Sequence, residues 1–264
     1  MNNTPTNWPR LFTSEALTKG LLHPLDPQQS HYLLNVLRLT QGDSVRLFNG
    51  RDGEWQAMIH DIPKSRKKGI TLTLIEQRRE QTTEPDLCLC CAPIKRAHFD
   101  FMIMKATELG ARTIQPILTS RTQIRESNLE RLTSIAIEAA EQSERLSIPE
   151  VKQAIPLPTI IEEWPKHRLA VLCAEFGQAQ PVAAAFSGAL AHARPSIGIF
   201  TGPEGGFTSE EMSIIKSLPE ILPIRLGPRI LRADTAAIAA MSCWQALCGD
   251  WQNRDYTTRP ATKE

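Results

Sequence analysis

The chain has 264 residues, 41% apolar and 22% charged, which suits one large or two modest globular domains. No apolar run approaches the roughly 20 residues of a membrane span, and a net charge of +1 excludes a uniformly basic nucleic-acid binder. Cys88, Cys90 and Cys91 share an apolar run without the C-x2-C spacing of zinc sites. They are expected as buried thiols, with no metal. Met1–Pro5 lacks the basic-then-apolar pattern of a secretory signal. With free thiols, this points to the cytoplasm and away from the membrane.

Residues 1–76 read as a small β-rich domain. Arg10–Phe12 is a short strand, and Pro27–Leu37 a helix with Asp26 as N-cap and Pro27 at its first position. Gly42–Phe48, Glu54–Ile62 and Ile70–Glu76 are strands divided by glycine turns, the pattern of a small barrel. Up to residue 80 there are 11 Lys and Arg against 8 Asp and Glu, a mild basic excess. Four of these cations crowd into Lys64–Lys68, either a solvated turn, an RNA-facing cluster or both.

The polar stretch Gln77–Asp86 marks a boundary, after which strands alternate with helices. Leu87–Ala92 is a strand and Ala97–Leu109 a helix with Met102, Ala106 and Leu109 as its core stripe, stopped by Gly110. Thr113–Leu118 is a strand, Leu129–Leu146 a helix, Val151–Ile155 a strand and Thr159–Trp164 a short helix. Leu169–Ala174 is a fully buried parallel strand. The Ala-rich run Gln180–Ala193 is expected to be helical. This alternation predicts an α/β domain over 77–250 with a mostly parallel sheet, followed by a polar, disordered tail at 251–264.

Two loops of the same kind follow. Gly202-Pro203-Glu204-Gly205-Gly206-Phe207 succeeds the strand Ile197–Thr201, and Gly227-Pro228-Arg229-Ile230-Leu231-Arg232 succeeds Ile221–Leu226. Thr208-Ser209-Glu210-Glu211 has capping-box spacing, and Asp234 or Thr235 can cap the helix Thr235–Cys248. Paired glycine-bearing strand-to-helix loops predict a ligand cradle at the carboxyl edge of the sheet. The first is neither a Walker loop nor a dinucleotide fingerprint, and Glu204 at its centre disfavours a dense phosphate.

These loops, together with Asp234-Thr235-Ala236, Lys105–Gly110, Ser120-Arg121-Thr122, Ala139–Arg145 and His31–Arg38, resemble the RsmE family of ribosomal RNA methyltransferases. The resemblance covers nearly the whole chain. It implies an N-terminal PUA-like RNA-binding β-barrel and a C-terminal trefoil-knotted SPOUT methyltransferase domain, paired in a homodimer. It also implies S-adenosylmethionine as cofactor and, as substrate, N3 of one uridine in 16S rRNA, within the small ribosomal subunit.

The implied cofactor cradle is Leu172, Gly202, Glu204, Gly205, Gly206, Leu226, Gly227, Ile230 and Leu231. Leu172 and Leu226 can instead be plain core, or can pack there and still present main chain to the adenine. Arg232 and Arg229 are placed to meet charge developing on uracil or a phosphate, and Arg121, Arg10 and Arg38 to meet RNA. Glu204 is either a base, a loop anchor or a partner for the sulfonium. His31 and Tyr32 can simply pack helix against barrel, and Glu141 and Arg145 are read as structural. Two positions depart from the family pattern: Asp234 stands where Glu is usual, and Glu144 where a small residue is commoner.

Overall fold

Alternating apolar and polar positions close the N-terminal strands over a core, as the computed structural model shows for a chain described over residues 8–63, 69–124, 128–174, 177–187, 190 and 195–252. The Lys64–Lys68 cluster, Glu175–Phe176, most of residues 188–194 and the tail from residue 253 lie outside the described residues. Among the described residues the chain divides into two units, one reaching Thr83 and including Ala140–Ile148, the other holding Glu84–Ala139 and residues 149–252.

In the first unit, β1 (Arg10–Phe12), β2 (Leu22–Pro24), β3 (Ser44–Phe48), β4 (Glu54–Asp61) and β5 (Thr71–Arg79) form a curled sheet in the order β1-β3-β4-β5-β2. β1 and β3 are parallel and the other pairs antiparallel, with register shifts between β4 and β5. Val45, Leu47, Ala57, Leu72 and Leu74, on the inward face, are fully or almost fully buried. Each large aliphatic side chain among them contributes about 1.5–3 kcal/mol. Helix α1 (Pro27–His31) is capped by Asp26, which accepts from Gln29 N–H at 2.7 Å, and continues as a π-helical turn, Tyr32–Val36. Strand β2 has no counterpart in the sequence reading, because three residues are too few for a period to show.

The second unit is a parallel sheet. Strands β6 (Leu87–Cys91), β7 (Thr113–Leu118), β8 (Glu150–Val151), β9 (Ile155–Pro156), β10 (Leu169–Cys173), β11 (Gln180–Pro181), β12 (Ile197–Thr201) and β13 (Ile221–Arg225) are ordered β11-β13-β10-β12-β6-β7-β8, with β9 also paired to β7. Every pair is parallel. The helices are α2 (Arg96–Glu108), α3 (Leu129–Ser143), α4 (Leu157–Glu162), α5 (Val182–Ala185), α6 (Ser209–Lys216) and α7 (Ala233–Leu247). The last turn of α3 and the segment after it belong to the first unit. No helix among the described residues is long and apolar enough to cross a membrane. Cys88, Cys90 and Cys91 are buried in β6, and all six cysteines are free thiols.

Three element predictions are corrected. The single strand Val151–Ile155 is instead two two-residue bridges, both paired to β7. The helix predicted from Gln180 starts only at Val182, because Gln180 and Pro181 pair with β13 and Pro181 occupies the N-cap. Neither Asp234 nor Thr235 caps α7. Its N-cap is Arg232, which makes no side-chain capping bond, and Asp234 lies inside the first turn.

Candidate active site

Because β6, β7, β12 and β13 run parallel, the loops after their carboxyl ends meet at one edge of the sheet. There they enclose a cavity of about 870 Å³. Ile94, Lys95 and His98 line it from the loop after β6 and the start of α2. Ser120, Arg121, Thr122 and Gln123 come from the loop after β7, Glu204 and Gly205 from the loop after β12, and Arg232, Ala233 and Asp234 from the start of α7. The cavity therefore gathers four residues expected from the sequence (Arg121, Glu204, Gly205 and Arg232), from three separate stretches of the chain.

Two carboxylates fix its walls. Glu211, in the first turn of α6, is buried and completes the predicted capping box: Thr208 Oγ1 accepts from Glu211 N–H at 3.2 Å, and Glu211 Oε2 accepts from Thr208 N–H at 2.8 Å. Its other oxygen accepts from Ser120 N–H at 2.6 Å, tying the loop after β7 to the loop after β12. Arg121 strengthens the tie, donating from Nη1 to the Gly205 carbonyl at 2.5 Å. A Cβ on Gly205 would come within 3.2 Å of Arg121 Cδ, so this close approach favours glycine.

The second carboxylate, Asp234, accepts from the Thr235 N–H at 2.8 Å through Oδ1 and meets His98 Nδ1 at 2.8 Å through Oδ2. Burial pushes its carboxyl up, but the bonds from His98 and Thr235 outweigh burial and hold it below its ordinary value. It is therefore ionised at neutral pH.

The two glycine loops keep backbone conformations that other residues rarely adopt. Gly206 has φ +69° and Gly227 φ +120°, and a Cβ on either would meet nothing within 4 Å. Their glycines serve conformation, not space. Arg229 is exposed on the second loop outside the cavity lining, and Ile230 beside it is 74% exposed. Leu226 and Leu231 are half-buried. Leu172 is fully buried in the core cluster of β10 and does not line the cavity.

Arg10, expected at RNA, is instead buried in the first unit. Its Nε donates to Glu54 Oε2 at 2.6 Å, and its other nitrogens donate to the carbonyls of Ala140, Glu141 and Arg145 at 2.7–3.0 Å. The guanidinium also lies 4.3 Å from the centre of the Phe48 ring. With all three nitrogens bonded and 5% of the residue exposed, Arg10 is not placed to meet a phosphate. Glu141 is structural as read, accepting from Phe12 N–H at 2.9 Å, and the Arg145 carbonyl joins the same network. Arg38 is exposed and has a left-handed backbone, φ 58°.

A family profile described as an RNA methyltransferase domain matches residues 82–245, and one described as an RNA methyltransferase PUA domain matches residues 25–72. Ribosomal RNA small subunit methyltransferase E of Rickettsia conorii is 39% identical over 212 residues, 80% of this chain and 84% of its own. The chain belongs to the ribosomal RNA small subunit methyltransferase E family. The Synechocystis member is 37% identical over 227 residues, 84% of this chain and 72% of its own. The crystal structure of the family's Neisseria gonorrhoeae enzyme, bound to S-adenosyl methionine, matches with TM-score 0.81 and 27% identity over 93% of this chain and 100% of that one.

His98 is a cavity residue that the sequence reading passed over in this member of the family, as it did Ile94, Lys95 and Gln123. A lone histidine at a helix start carries no periodic signal, and its partner Asp234 lies 136 residues away.

Proposed function

We propose that this chain transfers a methyl group from S-adenosylmethionine to N3 of one uridine in 16S rRNA. The observation that carries the reading is the meeting of Arg121, Glu204, Gly205 and Arg232 in one cavity at the parallel-sheet edge, on loops that also hold the positive-φ Gly206 and Gly227 outside its lining. The cofactor suits the residues present: bare backbone at Gly202, Gly205, Gly206 and Gly227, with apolar surface from Leu226, Ile230 and Leu231, matches a flat adenine and its hydrogen-bonding edge. When bound, S-adenosylmethionine supplies an electrophilic methyl group on a sulfonium.

The remaining work falls to the protein. Uridine N3 carries its proton at neutral pH, so the site must remove that proton and stabilise the negative charge spreading onto the flanking oxygens. Arg232 is exposed to the cavity and fixed at the N-cap of α7, beside the positive end of that helix. Arg121 spends one nitrogen on Gly205, which orients the rest of its guanidinium for a phosphate or a uracil oxygen. Exposed Glu204 offers a carboxylate to the sulfonium. Arg229 and Arg38 are read as RNA contacts, with residues 1–76 holding RNA and residues 77–250 performing the transfer.

The exposed Ile230 on the signature loop and the exposed Phe101 on α2 support a homodimer that covers them. An assembled small ribosomal subunit in the cytoplasm is the proposed setting.

The test is transfer of labelled methyl from S-adenosylmethionine to small subunits lacking the modification, followed by nucleoside analysis. 3-Methyluridine lost in Arg232→Ala is expected. A different methylated nucleoside would overturn the substrate, and no cofactor binding would overturn the reading as a whole.

A further inference from the structure

His98 and Asp234 form a pair whose geometry suits more than packing. Asp234 is the buried member, with 11% of its side chain exposed, while 45% of the His98 side chain is exposed and lines the cavity. An ionised carboxylate can only accept a hydrogen bond, so the 2.8 Å contact with Nδ1 requires the proton to sit on Nδ1. The lone pair of the neutral imidazole is then on Nε2, which no other group among the described residues engages. The carboxylate is anchored in turn by the Thr235 N–H at the start of α7.

Resting on the function proposed above, we infer that His98 is the base that takes the N3 proton of uridine and that Asp234 is its positioning residue. As the proton passes from N3 to Nε2, the electron pair left on N3 forms the new bond to the methyl carbon. The methyl–sulfur bond breaks with its electrons kept by sulfur, which goes from sulfonium to neutral thioether. The imidazolium, stabilised by Asp234, later returns its proton to water.

The surroundings favour the anion that the transfer leaves on uracil. The charged groups that line the cavity with the imidazole are Lys95 at the start of its own helix, Arg121 after β7, Glu204 after β12, and Arg232 with Asp234 at the start of α7. Three cations against two carboxylates lower the cost of a uracil anion. Imidazole is the side chain matched to proton transfer near neutral pH.

The experiment is single-turnover methylation across pH with wild type, His98→Ala, His98→Gln, Asp234→Asn and Asp234→Glu, alongside nitrogen NMR of the His98 ring in the ligand-free protein. Wild type should give a rate that climbs with pH and then levels. Both His98 variants should bind S-adenosylmethionine normally, be slower at neutral pH by about 100-fold or more, and lose the levelling. Added imidazole should restore rate to His98→Ala. Asp234→Asn should lower the plateau and scramble the ring tautomer that NMR reports as Nδ1–H in wild type, and Asp234→Glu should recover both. An unchanged pH profile in His98→Gln, a slower rate with the levelling intact, or an Nε2–H ring in wild type would each overturn the inference. A wild-type product other than 3-methyluridine would sink the parent reading and this one with it, and is seen before any variant is made.

Discussion

Ser120 and Glu211 are joined by a 2.6 Å bond from a backbone N–H to a buried carboxylate, so a helix cap of one loop also latches the next. One oxygen closes the capping box on Thr208 while the other holds the loop after β7. Glu211→Ala removes both bonds and leaves two N–H groups without partners. Charge-assisted bonds of this kind place the loss at about 2 kcal/mol. Denaturant unfolding measures it, and cofactor titration should weaken in parallel because the cavity loops separate. Glu211→Gln, which keeps the geometry, should lose roughly half as much. A loss of stability in Glu211→Ala with cofactor affinity unchanged would show the latch to be a cap alone.

Arg10→Ala should strike folding, not RNA binding. Arg10 and Glu54 are each 2% exposed at the side chain, so removing the arginine strands a buried carboxylate and three carbonyls. Breaking a buried pair from one side costs about 3–5 kcal/mol. Arg46 at 3.5 Å from Glu54 offsets part of that cost. Urea unfolding of the isolated change against Arg10→Met with Glu54→Leu tests the account: the double variant should recover the share of the loss owed to the buried carboxylate, while the three carbonyls stay without the arginine. RNA affinity measured on the folded fraction should be unchanged.

The contrast between these residues shows what the sequence makes legible. The glycine loops could be read because Gly, Pro and a capping box lie within a few residues of an apolar strand, and each signal is local. Arg10 could not be placed, since a terminal arginine looks alike whether it faces a phosphate or the carbonyls of residues 140–145, 130 positions on. The pairing of His98 with Asp234 was hidden for the same reason. Ala-rich Gln180–Ala193 misled in the opposite sense: propensity favoured helix from its first residue, and pairing with Ile224 and Arg225 of β13 overrode it. The buried strands β6 and β10 were legible as continuous apolar runs, but their neighbours in the sheet were not, because order is set by crossovers and leaves no mark in composition.

Gly227 and Gly206 make a graded test of the cradle. Neither lacks room for a Cβ, so alanine acts through backbone strain alone. At φ +69° Gly206 sits in the left-handed helical region, which alanine enters at about 1–2 kcal/mol. At φ +120° Gly227 lies outside it, where strain runs to about 1–3 kcal/mol. Gly227→Ala should therefore weaken cofactor binding more than Gly206→Ala, both with near-native circular dichroism. The reverse order by calorimetric titration would mean that the first loop alone shapes the site.

Asp86 and Arg168 set an acid limit on the second unit. Arg168 Nη2 donates to both Asp86 oxygens at 2.8–2.9 Å, and Ser196 Oγ donates to Oδ2. Burial pushes the Asp86 carboxyl up, but the Ser196 and Arg168 bonds outweigh it and leave its folded value depressed. Arg168 is raised in turn, Asp86 overcoming the opposing push of burial. A depressed folded value means that the pair stabilises the fold fully above the unfolded value, about 3.9. That stability fades as pH falls through the folded value, because the unfolded chain takes up the proton first. Asp86→Asn should thus be less stable than wild type at neutral pH, with the gap narrowing as the medium is acidified below about pH 4. Denaturant midpoints for both proteins across that range measure the gap, and one that stayed constant with pH would show that the pair contributes through shape and not charge.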